Sequence, residues 1–207
     1  MIPTISYAIT AYNEHEELKR LFTELCDHKS EGDEIVVQLD TNASDEVKMA
    51  VFGFKNHIET LIEFPLNKDF ATFKNNIKDF CKKDYIVFID ADEVPNEYLM
   101  SNIASLLEQN PTVDMFLVPR INTVEGLTQE YIDKWGWNVD EQGRVNFPDY
   151  QSRIMRNVSE IKWTGKVHER LIGTSTYAHL PAEDHWCLLH PKTIERQEKQ
   201  NKLYETI

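Results

Sequence analysis

The sequence has few cysteines, few basic residues for its acidity and no long apolar run. Its three cysteines, Cys26, Cys81 and Cys187, are odd in number, far apart and form no CxxC. That excludes a disulfide framework or a zinc knuckle and fits a reducing compartment. Lys and Arg total 22 against 35 Asp and Glu, a net charge of −13. A surface so poor in clustered cations excludes a general nucleic-acid groove, which needs basic residues against phosphate. It also excludes a polybasic membrane surface. No stretch approaches the ~20 apolar residues of a membrane-spanning helix. The first residues lack a basic segment and reach Glu14 early, so no signal peptide is expected and the location expected is cytoplasmic. Asn42-Ala-Ser and Asn157-Val-Ser are then chance matches to the glycosylation pattern.

What is present is an alternation of strands and helices. The 207 residues suit one domain. Residues 4–11 are β-rich, and Leu18, Leu21, Phe22 and Leu25 recur at helical spacing over His15–Asp27. Glu34–Asp40 has the continuous apolar run of a buried parallel strand. Ser44 is an N-cap for a helix carrying Val47, Val51 and Phe52, and Ile58–Phe64 forms a third strand. A helix is predicted over Asp69–Lys82 with Phe70, Phe73, Ile77 and Phe80 on one face, followed by the strand Tyr85–Asp90. Pro95-Asn96 opens a helix with Leu99, Ile103, Leu106 and Leu107 as its core face, and Asp114–Pro119 is a fifth strand. This rhythm predicts an α/β fold, a mostly parallel central sheet with helices on both faces. Beyond Arg120 the period breaks. Residues 121–150 read as a long loop or small helical excursion, strand-like pieces return at Ser152–Arg156 and Ser175–Leu180, and a polar helix starts near Lys192.

The chemistry gathers where the strongest strand ends, at Asp90-Ala91-Asp92-Glu93. Three carboxyls within four residues at the rim of a core repel each other and resist desolvation. A hard divalent cation with oxygen ligands resolves that conflict, and ligands of open α/β sheets sit at the carboxyl ends of strands. A solvated acidic turn is the plainer alternative.

These residues resemble the DxD motif of GT-A glycosyltransferases. The wider pattern is similar to family 2, within it the bacterial lipopolysaccharide-type glucosyl and heptosyl transferases. Ser6–Glu14 is similar to the family's first strand and nucleotide-contacting loop, Asp69–Glu93 to its "dF…RN…lDaDE" block, and Arg153–Arg156 with Gly165–Glu169 to its "R.fr…g.vHE" block. The resemblance implies one GT-A (Rossmann-like) domain over residues 1–207. Residues 1–119 would be the nucleotide-sugar half and 120–207 the acceptor and catalytic half. It also implies a nucleotide-diphosphate sugar, UDP-linked first, a glycan or lipopolysaccharide-type hydroxyl acceptor, and Mn2+ or Mg2+ at the leaving diphosphate. Asp92 would ligate the metal, joined by His190 in Leu188-Leu189-His190-Pro191, while Asp90 and Ala91 would line the sugar or ribose. A hydrogen-bonded structural histidine is the alternative for His190. Asp40 would read the base, although Asp40-Thr41-Asn42-Ala43-Ser44-Asp45 lacks the glycine of the family turn. Thr10, Tyr12 and Glu14 would line the same site. Lys74, in the place of the family's arginine, would contact a phosphate, with Lys78 and Lys82 a solvated stripe.

Inversion at the anomeric carbon needs a base for the acceptor hydroxyl. The resemblance gives that role to Glu169, with Gly165 letting the backbone pass close to the sugar. An ion network of His168 and Glu169 with Arg170 or Arg153 is the structural alternative. Asp184 is a candidate second-sphere partner of a metal-bound histidine. Trp135 and Trp137 are candidates to stack on an acceptor sugar, with Asp133 and Asp140 on its hydroxyls, or else a patch holding the loop shut. Two rivals remain: a non-catalytic nucleotide-sugar or glycan binder on the same fold, and a haloacid-dehalogenase-type phosphatase, whose DxDx(T/V) motif Asp90–Val94 also fits. That motif normally closes a first strand, and here strand–helix units precede it.

Overall fold

A computed structural model describes residues 2–204. In chain order the elements are β1 (Ile5–Ala11), α1 (His15–His28), β2 (Glu34–Asp40), α2 (Asp45–Gly53), β3 (Thr60–Phe64), α3 (Phe70–Lys78), β4 (Tyr85–Asp90), β5 (Val94–Pro95), α4 (Glu97–Gln109), β6 (Met115–Glu125), α5 (Gln129–Trp135), β7 (Val145–Arg156), β8 (Lys162–Thr164), β9 (Arg170–Ile172), β10 (Tyr177–His179), β11 (Leu188–Thr193) and α6 (Ile194–Tyr204). A 3-10 turn at Asp184–Trp186 precedes β11.

Strands order as β3-β2-β1-β4-β7-β6-β11-β5, with β10 joined to β6. The β3-β2-β1-β4 half is parallel throughout. Antiparallel β7 is inserted between β4 and β6. The α/β expectation therefore holds, with a mostly parallel sheet.

The central strands are apolar on both faces, and each face has its own layer. Tyr7, Ile9, Val37, Val87 and Ile89 point into a core with Leu18 and Phe22 of α1, Val47 of α2 and Ile103 of α4. Ala8, Val36, Ile86 and Phe88 face the other way, onto Ala71 and Ile77 of α3 and onto Trp163 of β8. A strand buried on both sides must read as a continuous apolar run, which is why Glu34–Asp40 and Tyr85–Asp90 were legible. Caps fix the helix starts: Ser44 Oγ accepts the Val47 N–H at 3.3 Å, Asp69 Oδ1 that of Thr72 at 2.9 Å and Asn96 Oδ1 that of Tyr98 at 2.9 Å.

Several expectations change. Helix α3 stops at Lys78, because the Phe80 and Cys81 N–H groups bond back to Ile77 and Lys78 carbonyls and tighten the chain into turns. Phe80 is consequently 40% exposed, and Phe52 lies 65% exposed rather than in the core. Lys78 is buried, not part of a solvated stripe. The excursion shrinks: β6 runs on to Glu125 and β7 begins at Val145, leaving α5 and two connecting turns between them. The polar helix α6 begins at Ile194; residues 205–207 lie outside those described.

Candidate active site

Parallel pairing puts the ends of β1, β2 and β4 at one edge of the sheet. Thr10 is in register with Asp90, and Ala11 with Leu39. The loops beyond them are tied together: the Ser44 N–H donates to the Tyr12 carbonyl at 3.0 Å. Glu14 Oε2 accepts the Tyr12 and Asn13 N–H groups at 2.8 and 2.9 Å, so its carboxylate shapes the loop after β1. Tyr12 stands 49% exposed above it. Asp40 is buried and accepts the Asn42 N–H through Oδ1 and the Leu66 N–H through Oδ2, both at 2.7 Å. Its carboxylate thus holds the turn that the missing glycine would have eased, and clasps the chain ahead of α3.

Asp90, Asp92 and Glu93 part company after β4. Glu93 is fully buried and binds inward to Arg153 Nε at 2.9 Å and Arg120 Nη1 at 2.8 Å. Arg153 Nη2 also donates to Asp90 Oδ2 at 2.5 Å. Burial opposes ionisation of Asp90, but Arg153 and Lys74 outweigh it and hold the carboxyl down at about 2. Ala91 packs into the core between the two aspartates.

Asp92 turns toward β11. Strand β5, two residues beyond Asp92, pairs with β11 through Leu189↔Val94, and this brings His190 alongside. His190 Nε2 lies 3.2 Å from Asp92 Oδ2. The other ring nitrogen, Nδ1, is 2.6 Å from Asn122 Oδ1. The Asn122 amide is oriented by its own donation to Asp149 Oδ2 at 2.8 Å, so its oxygen faces the histidine. That oxygen only accepts, so Nδ1 donates to it and Nε2 is the nitrogen that faces Asp92. Burial pushes the His190 pKa down, against the raising effect of Asp92. An imidazole nitrogen facing a carboxylate oxygen is a donor set for a cation, and one whose second sphere is already built. A divalent metal fits there. Among the described residues no cluster of three or more His, Cys, Asp or Glu is placed to hold a metal ion.

Two cations escaped the sequence reading. Lys192 Nζ lies 3.9 Å and Arg196 Nη2 3.3 Å from Asp92 Oδ2. Arg196 also pairs with Glu17 and reaches Glu14 at 3.8 Å. Burial resists ionising Asp92, yet these neighbours and His190 keep its pKa below the ordinary carboxylate range. Nothing local marks Lys192, at the end of β11, or Arg196, in the first turns of α6, until both are seen to converge on Asp92.

Glu169 stands beside α3. It follows Gly165, at φ +93°, and His168, at φ 54°. Its partner is neither Arg153 nor Arg170 but Lys74, whose Nζ sits 2.6 Å from Glu169 Oε1. The same ammonium lies 3.8 Å from Asp90 Oδ1. Asp184 is also reassigned: it binds Arg144 at 2.7 Å, and Asn122 takes the place beside His190. Asp140 likewise pairs with Arg144, at 2.6 Å. In α5, Tyr131 stacks 6.1 Å from Trp135 and 5.3 Å from Trp137, while Trp135 stays 41% exposed.

A Rossmann-like sheet whose DxD aspartates sit at the carboxyl end of a central strand is the GT-A form of a glycosyltransferase. The chain belongs to glycosyl transferase family 2, which it matches over residues 6–165. It is similar to the SPbeta prophage-derived glycosyltransferase SunS of Bacillus subtilis (strain 168), 26% identical over 167 residues that make up 81% of this chain and 34% of SunS. The S. aureus TarS 1–349 structure superposes with a TM-score of 0.65 at 13% identity, covering 91% of this chain and 60% of that one. TarS 1–349 in complex with UDP-GlcNAc gives 0.65 at 14% identity, covering 91% and 58%. Glucosyl-3-phosphoglycerate synthase from Mycobacterium tuberculosis, in complex with Mg2+ and UDP, gives 0.50 at 13% identity, covering 75% and 57%. The chain thus spans about a third of SunS and less than two thirds of either solved chain. Among its described residues no helix is long and apolar enough to cross a membrane.

Proposed function

We propose that this glycosyltransferase moves a sugar, with inversion and with help from a divalent metal, from a UDP-sugar to a hydroxyl on a glycan or lipopolysaccharide-type acceptor. The observation that carries the reading is the pairing of Asp92 with a pre-oriented His190 at one end of the DxD segment, with Glu169 beyond Asp90 at the other. TarS and the mycobacterial synthase, both solved with UDP ligands, support the uridine donor.

In this reading Asp92 and His190 hold Mn2+ or Mg2+. The metal supplies positive charge where the leaving diphosphate gathers negative charge. Lys192 and Arg196 add fixed positive charge to the same wall. Asp40 reads the base edge with the lone pairs its two backbone bonds leave over. Tyr12 covers the base, while Thr10 and Glu14 shape the floor beneath it. Asp90, held ionised by Arg153, accepts from sugar or ribose hydroxyls beside Ala91. Gly165 keeps the backbone low at the acceptor side, and Glu169 takes the acceptor proton as its oxygen attacks. Trp135 is the exposed face for an acceptor ring.

Glu169→Gln keeps the shape of the side chain and removes the base. Release of UDP from a panel of UDP-sugars with Mn2+ is expected to fall about 100- to 10,000-fold while donor affinity holds. Unchanged turnover takes the base role away from Glu169. A donor that binds with metal but is never turned over by the unmodified protein supports the binder reading instead. Rapid hydrolysis of aryl phosphates would be the mark of the phosphatase, whose motif closes a first strand whereas here it closes β4.

A further inference from the structure

Helix α3 is tethered to the segment that carries Glu169 at three points. Asn75 Nδ2 donates to the Trp163 carbonyl, and Asn75 Oδ1 accepts the Trp163 N–H, both at 2.8 Å. The Phe70 N–H donates to the Lys166 carbonyl at 3.0 Å. Lys74 Nζ donates to Glu169 Oε1 at 2.6 Å. Between these tethers the chain turns through left-handed backbone at Gly165 and again at His168, a conformation uncommon for a residue with a side chain.

The Lys74 ammonium is enclosed. Its side chain is 7% exposed, the Trp163 ring lies 4.7 Å beneath it, and Asp90 Oδ1 is 3.8 Å away. A diphosphate oxygen would have to displace Glu169 to reach it. Asp90 also has Arg153 at 2.5 Å, whereas the cation in direct contact with Glu169 is Lys74, so removing Lys74 leaves Glu169 without its hydrogen-bonded partner. With Lys74 in place, Glu169 is held toward the Asp90 side of the site. The geometry points to Lys74 as the residue that positions Glu169, setting the distance between the base and the sugar-binding Asp90, rather than as a contact to the donor phosphates. Lys74-Asn75 then acts as one device, in which the asparagine fixes strand β8 and the lysine fixes the acid beyond it. This rests on the transferase reading above.

The test compares the unmodified protein with Lys74→Met, Lys74→Arg, Glu169→Gln and the Lys74→Met/Glu169→Gln double variant. UDP release from UDP-sugars with Mn2+ is the first readout. Lys74→Met is expected to lower kcat about 10- to 100-fold with donor KM within about twofold, and Lys74→Arg to restore part of the loss. The double variant is expected to be no slower than Glu169→Gln alone, because both changes act through one group. A raised donor KM at unchanged kcat, or losses that multiply, overturns the proposal and returns Lys74 to the diphosphate. Hydrogen exchange over residues 164–170 is the second readout. Faster exchange in Lys74→Met, reversed in Lys74→Arg, is expected; unchanged exchange overturns the claim. Should the unmodified protein turn over no nucleotide sugar, the transferase reading falls, while the exchange measurement still decides the role of Lys74.

Discussion

At the residue scale, one proton decides what Asp92 and His190 can hold. The chain Asp149, Asn122, His190 fixes that proton on Nδ1 and turns Nε2 toward Asp92. Asn122→Leu removes the acceptor and frees the ring to rotate. The affinity for Mn2+ alone, measured by calorimetry, is expected to drop about 10- to 100-fold; an unchanged affinity would show that Asn122 does not set the tautomer. Asp149 has a second consequence. Burial opposes its ionisation, but Arg120 above all, with Asn122 and Gln151, lowers its pKa from 3.8. A lowered folded pKa means stability that is fully present above pH 3.8 and lost as pH falls through the folded value. Urea midpoints measured from neutral pH downward are expected to decline more gently in Asp149→Asn than in the unmodified protein. An identical acid slope would remove Asp149 from the ion network's contribution. The acids at Asp90 and Asp92 were legible as a motif. Asn122, Arg120, Lys192 and Arg196 were not, because each acts through a partner on a strand or helix far away in the chain.

At the element scale, α3 and β8 carry the second half of the site. Two strands of three residues each, β8 and β9, pair only with each other and cannot hold a catalytic acid in place by their own ladder. Trp163 anchors them by packing edge-on against Phe88, and Asn75 satisfies both backbone groups of the same residue. Asn75→Ala deletes both bonds beneath a buried indole. A loss of roughly 1–3 kcal/mol is expected in denaturant unfolding, with faster exchange across β8; a neutral change would mean β8 is held by packing alone. Helix α3 also shows what periodicity misses. Its apolar spacing continues to Phe80, yet the helix ends at Lys78, where back-bonded turns leave Phe80 40% exposed and turn Cys81 inward instead. The merging of 121–150 into β6 and β7 was illegible for a related reason. The β6 extension pairs mainly with distant β11 and the start of β7 with β6, and their half-exposed faces carry no strong alternation.

At the scale of the whole molecule, the negative surplus is divided by the sheet. The parallel half was plain in the sequence because its strands are buried on both sides. The mixed half was not, because β7 and β11 join by long-range pairing that no local pattern encodes. That pairing completes the site: β7 delivers Arg153 to Asp90, and β11 delivers His190 to Asp92. The acids at and just after the end of β4 are therefore matched by cations and a histidine from the second half of the chain, and the proposed function puts a diphosphate and its metal there. Calorimetric titration of UDP, with and without Mn2+, into the unmodified protein, Asp92→Ala and His190→Ala tests this most directly. Metal-dependent UDP binding in the unmodified protein, weakened at least about tenfold in both variants, is the expected result. Equal UDP affinity with and without Mn2+, or binding indifferent to Asp92 and His190, would contradict it.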